Sequence, residues 1–222
     1  MILMPWSPVV FPRLAGMEIL TLVGTGLVTG IGLIAAVGAQ NAYLLRRGLL
    51  REHVGALVAL CALSDLVLIG GAVLGVGAVL TWWPPLLDIV RWGGAIFLVG
   101  YGLSCLWRAA RSTESLTAAP AATGAPTVSL RRALLTMAGF TWLNPHLYLD
   151  ITILGGLANG YGETGRWWYY TGLCLASFTW FSALGFGSAR LAPVFARPRA
   201  WQVFDTLIGL VMIALGIGLA LR

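Results

Sequence analysis

Six apolar stretches, at about residues 18–45, 53–80, 86–108, 130–158, 166–190 and 200–221, dominate the sequence. Each reaches or exceeds the ~20 residues that cross a bilayer as helix. Of the 222 residues 59% are hydrophobic and 10% charged, whereas an ordinary soluble domain carries about 25% charged residues. A soluble protein could not hide that much apolar surface. The expected fold is therefore an all-α integral membrane protein with six transmembrane helices.

The net charge of +6 arises from fourteen arginines and no lysine. They cluster at the ends of apolar runs and form no basic face with interleaved aromatics, so they read as membrane topology and not as a nucleic-acid surface. Positively charged short loops stay in the cytoplasm. Arg46, Arg47 and Arg51 follow the first stretch, Arg108, Arg111, Arg131 and Arg132 flank the connection between the third and fourth, and Arg190, Arg197 and Arg199 follow the fifth. Trp82, Trp83, Trp167 and Trp168 border the two remaining loops, as an outer aromatic belt would. Both termini are then expected outside, in a multi-pass membrane protein.

Residues 1–16, with Pro5, Pro8 and Pro12, lack the charged start and cleavage site of a secretory signal. They read as a non-functional extension before Met17. Residues 17–108 form a first three-helix half, 109–129 an Ala/Ser/Thr/Pro-rich cytoplasmic linker, and 130–222 a second half. Three helices per half imply two halves of inverted topology, an arrangement many secondary transporters use for alternating access. Gly26-x-x-x-Gly30, Gly71-x-x-x-Gly75 and Gly156-x-x-x-Gly160 are spacings that permit close helix approach. A homo-oligomer is left open.

Polar residues deep in apolar runs are the candidates for chemistry. Asp65 falls near the midplane of the second stretch, where a carboxylate costs about 2.5–3.5 kcal/mol to insert and should face a cavity or a partner. It reads as a substrate-binding or proton-carrying group, or as a protonated structural one. Asp150 lies six residues after Asn144 in Thr141-Trp142-Leu143-Asn144-Pro145-His146-Leu147-Tyr148-Leu149-Asp150. Pro145 should break that helix and free carbonyl groups able to meet a cation, or kink it purely for packing. In the first stretch Gly38 precedes Gln40 and Asn41, whose amides suit both ends of an amino acid zwitterion. Adjacent helical residues point about 100° apart, so both face one cavity only if Gly38 opens the backbone. His146 reads equally as a proton relay or a helix cap. Asp88 with Arg91, and Asp205 beside Trp201, read as interfacial.

The cysteines Cys61, Cys105 and Cys174 sit in apolar runs without C-x-x-C spacing and read as small buried hydrophobes. The sequence has no H-E-x-x-H, GxxxxGK[ST] or G-x-S-x-G motif and no Cys/His metal cluster. Neither an enzyme nor an ATP-driven pump is expected, and no cofactor or metal.

Several segments together are specific. Gly38-Ala39-Gln40-Asn41-Ala42 with Arg46-Arg47-Gly48, Ser64-Asp65, Arg91-Trp92-Gly93-Gly94, the 141–150 segment, and Tyr161-Gly162-Glu163-Thr164-Gly165-Arg166-Trp167 give a chain that resembles the lysine exporter (LysE/ArgO) family from Met17 to its end. The resemblance implies export of L-lysine, L-arginine or their analogues from the bacterial cytoplasm. The family usually has Gly-Pro-Gln-Asn in the first helix, and Ala39 stands where that proline would be. Its loss should weaken the break. On this reading the cargo's charge meets Asp65, Asp150 or both, Gln40, Asn41 and Asn144 hold its ammonium and carboxylate, and protons exchange through Asp65, Asp150 or His146. Neutral amino acids or a metal cation on the same fold, and a non-transporting membrane subunit, are the alternatives.

Overall fold

A computed structural model describes residues 11–35, 38–75, 85–111, 128–191, 193, 195 and 198–221. Among them all regular structure is helical: α1 (Phe11–Ile34), α2 (Ala39–Leu49), α3 (Val54–Val73), α4 (Pro85–Arg111), α5 (Leu130–Trp142), α6 (Pro145–Asn159), α7 (Gly162–Gly187), a 3₁₀ turn (Ser188–Leu191) and α8 (Pro198–Ala220). The middle of the expected linker, residues 112–127, and the tryptophans Trp82 and Trp83 lie outside the described residues. So do residues 1–10, while α1 runs from Phe11 through Met17.

Among the described residues four helical segments are long and apolar enough to cross a membrane: Val54–Val73, Asp88–Ala110, Gly162–Leu191 and Arg199–Ala220. A fifth is counted if Glu18–Ile34 and Ala39–Leu49, bent by 86°, form one broken span. The chain is thus a multi-pass membrane protein, all-helical among the described residues. The fourth apolar stretch is divided into α5 and α6, of 13 and 15 residues, each too short to span alone.

Both divisions have local causes. At the first, Gly38 is extended (φ −124°, ψ 177°), and α2 starts at Ala39. The Asn41 side chain donates from Nδ2 to the Ile34 carbonyl at 2.9 Å, satisfying an acceptor that the end of α1 leaves without a helical partner. The break therefore persists with alanine in place of proline. At the second, Leu143 caps α5, and Pro145 opens α6 at the first helical position, where its missing N–H costs nothing. There the Tyr148 hydroxyl donates to the Trp142 carbonyl at 2.9 Å. A side chain from the first turn of the second helix thus closes the end of the first at both breaks, and the Trp142 carbonyl is already engaged.

Packing arranges the helices around these breaks. The α1–α2 stretch packs on α7, the α5–α6 stretch packs on α3, α3 packs on α7, and α4 packs on α8. Contact between α1 and α7 is backbone to backbone. A Cβ at Gly26 would collide with the Tyr169 carbonyl oxygen, and one at Gly172 with the Val23 carbonyl oxygen. Gly30 faces Ala176 on the same surface, so the Gly26-x-x-x-Gly30 spacing marks a close approach. Gly75 and Gly156 face open space, and Gly155 takes the close position against Ala72 instead.

Candidate functional site

A cavity of about 580 Å³ lies between the two breaks. Its wall brings together Gly38, Gln40, Asn41, Asp65, Asn144 and Asp150, residues separated in sequence by up to 112 positions (150 − 38). Gln40 and Asn41 both line it because they stand at the start of α2, directly after the extended Gly38, where the chain turns. The remaining wall is largely apolar and includes Phe97, Phe140 and Leu173. Pro145 starts α6, and His146 is its second residue, at the cavity-lining Asn144. The His146 side chain is outside the described set.

Asp65 is 6% exposed and accepts a hydrogen bond from Ser177 Oγ at 2.6 Å. Among the described residues no arginine or histidine pairs with it. A buried carboxylate without a counter-charge is costly, and either a proton or a cation entering from the cavity relieves that cost. Gln40 Nε2 is buried and has no hydrogen-bond partner among the described residues, so its donors are spare in the same wall. Asn41 is engaged at both ends of its amide, by donation to Ile34 and by accepting from Trp180 Nε1 at 3.3 Å. Trp142 Nε1 donates to Ser64 Oγ at 3.2 Å and ties the end of α5 to the turn that carries Asp65.

On one side the cavity ends in aromatic rings. Tyr43, Phe97, Tyr101 and Phe140 meet with centroids 4.8 to 5.8 Å apart, mostly edge to face. Beyond them Arg46 pairs with Asp205, Arg108 Nη2 stands 3.6 Å from the same Asp205 Oδ1, and the Arg46 guanidinium lies over Trp201. Arg47 pairs with Glu52. Asp205 is 3% exposed and is the centre of the buried ion-pair group with Arg46 and Arg108. Asp88 and Arg91 do form the expected pair, at 3.1 Å, with Asp88 exposed. Cys61, Cys105 and Cys174 are free thiols, the first two fully buried in the core.

The sequence singles out the carboxylates and amides that line this cavity but not their hydrogen-bond partners Ser177 and Trp180. Ser177 and Trp180 lie in the same apolar helix, and nothing in their own neighbourhood marks them. Their significance comes from α3 and α2, which only packing places opposite.

The family model described as LysE type translocator matches residues 31–222. The chain is 34% identical to a protein named lysine exporter LysE from Corynebacterium diphtheriae, over 84% of this chain and 93% of that one. It is 37% identical to a protein named arginine exporter protein ArgO from Pectobacterium carotovorum subsp. carotovorum, over 88% and 94%. A putative amino-acid transporter, YggA, from Aeromonas salmonicida is 38% identical over 88% and 93%. No solved structure matches the chain.

Proposed function

The chain belongs to the LysE type translocator family, and from that premise we propose that it exports basic L-amino acids, lysine and arginine, from the cytoplasm across a bacterial inner membrane in exchange for protons. It is a translocator and not an enzyme. One observation carries the choice of a cationic cargo. The cavity wall holds Asp65, buried with no basic partner among the described residues, together with Asp150. A cationic side chain supplies the missing counter-charge, and a neutral one does not.

In this mechanism the cargo lies between the breaks, its side-chain charge toward Asp65 and Asp150. Gln40, Asn41 and Asn144 bind the ammonium and carboxylate groups, and Gly38 and Pro145 keep the two helices open there. Moving a positive charge out of a negative cytoplasm costs about 2.3 kcal/mol per 100 mV, so uncoupled carriage would leak inward. Return of a proton on Asp65 or Asp150, with His146 near the second break, couples export to the proton gradient.

Two inverted three-helix halves, with α5 and α6 together as a sixth crossing, give the alternating-access frame. Three features support this arrangement. The breaks fall in the first and fourth stretches, each is closed by a side chain from the following turn, and each broken stretch packs on the second helix of the other half. The aromatic layer and the Arg46–Asp205 pair then seal the cavity from the cytoplasm, and both termini face outward.

Proteoliposomes preloaded with labelled arginine test this reading. Efflux should accelerate when the outside is made acidic, and lysine should compete from the same side where leucine or a divalent cation does not. Efflux indifferent to the pH gradient would remove the proton exchange, and competition by leucine alone would remove the basic cargo.

A further inference from the structure

One turn of α7 reaches both polar walls of the cavity. Ser177 Oγ donates to Asp65 on α3 at 2.6 Å, and three residues on, Trp180 Nε1 donates to Asn41 on α2 at 3.3 Å. Residues three apart share a helix face, so these two bonds belong to one surface. Seven residues earlier on that surface, the Tyr170 hydroxyl donates to the Leu66 carbonyl at 2.8 Å and fixes the α3 backbone next to Asp65. Ser177 is fully buried and stands behind Asp65, outside the cavity lining, so it cannot touch a ligand there itself.

We infer that Ser177 is a positioning residue for cargo binding: its hydroxyl holds one carboxylate oxygen of Asp65 and turns the group toward the cavity, with Trp180 fixing Asn41 from the same turn. This rests on the reading of Asp65 as a contact for the cationic cargo. A hydroxyl suits the task chemically. It donates to the carboxylate without neutralising it, where an arginine would satisfy the charge and leave nothing for the cargo. The contrast within this chain is Asp205, whose carboxylate meets Arg46 and Arg108 and is thereby committed to the fold.

The test is equilibrium binding of labelled arginine to purified protein in lipid nanodiscs, with maximal efflux rate measured on the same variants. Ser177→Ala should weaken arginine binding about tenfold, which corresponds to about 1.4 kcal/mol, with the maximal rate within about twofold. Ser177→Thr, which keeps the hydroxyl, should bind within about threefold of wild type. Ser177→Ala added to Asp65→Asn should weaken binding no further than Asp65→Asn alone, since the serine acts through that carboxylate. Unchanged binding in Ser177→Ala, or an equal loss with and without Asp65, overturns the positioning role. Should Asp65→Asn itself bind arginine as wild type does, the reading of Asp65 fails first and this inference with it. If Ser177→Thr is lost from the membrane, the effect of Ser177→Ala in the wild-type and Asp65→Asn backgrounds still decides.

Discussion

Arg46, near the end of α2, forms a buried ion pair with Asp205 in α8, and Arg108 of α4 approaches the same carboxylate at 3.6 Å. Three helices therefore meet on one acidic group. The arrangement is asymmetric: removing Arg46 leaves Asp205 with Arg108, whereas removing Asp205 leaves the buried Arg46 guanidinium without its partner and with the half-buried Arg108 close by.

Asp205→Asn should accordingly destabilise the protein more than Arg46→Gln. Breaking a buried pair by removing one partner costs about 3–5 kcal/mol, and Asp205→Asn belongs at that end. Apparent melting temperatures in detergent check the order. A more stable Asp205→Asn than Arg46→Gln would contradict the geometry.

Ala39 is the first residue of α2 and follows an extended Gly38, which is the backbone that a proline requires of itself and of its predecessor. Ala39→Pro should therefore be accepted, with a gain of about 0.4–1 kcal/mol from the less flexible unfolded chain. Thermal unfolding reads the gain, and efflux at matched expression reads whether the break still works. A large loss of stability would mean that Gly38 and Ala39 are not placed as described.

Gly26→Val and Gly172→Ala insert atoms where α1 and α7 touch backbone to backbone. Overpacking of this kind costs about 1–3 kcal/mol, and here rigid carbonyl oxygens are in the way. Both variants should lower the melting temperature, Gly26→Val more. Gly156→Ala, which meets open space, is the control and should change little.

Tyr148→Phe removes the donor that closes the end of α5 at Trp142. Losing a hydrogen bond of this kind costs about 0.5–1.5 kcal/mol. The expected outcome is a lower melting temperature together with slower efflux, because the second break loses its fixed geometry. A variant as stable and as fast as wild type would show that the bond contributes nothing.

Much of the fold was legible in the sequence because the bilayer leaves few choices: long apolar runs become helices, and polar residues inside them must face protein or a cavity. Gly38, Pro145, Asp65 and Asp150 stand out against apolar neighbours for that reason. The arginines were less informative. Arg46 and Arg47 read as loop charges that set topology, yet both are buried in ion pairs, because their partners Asp205 and Glu52 are supplied by the fold. Ser177 was invisible for a related reason. A serine in a transmembrane helix has no meaning until the facing helix is known, and the facing residue is 112 positions away. The glycine spacings behaved likewise: Gly26-x-x-x-Gly30 meets a partner helix, whereas Gly75 and Gly156 do not, and the sequence distinguishes none of them.

Asp65 and Asp150 are proposed to make the cavity a site for a cationic amino acid. Efflux of labelled arginine and lysine from cells preloaded with the matching dipeptides tests it most directly, with wild type, Asp65→Asn and Asp150→Asn compared at matched membrane expression. Wild type should release both amino acids rapidly, Asp65→Asn should lose at least about tenfold, equivalent to about 1.4 kcal/mol or more, and Asp150→Asn should also be impaired. Full efflux by both variants, or none by well-expressed wild type, would contradict it.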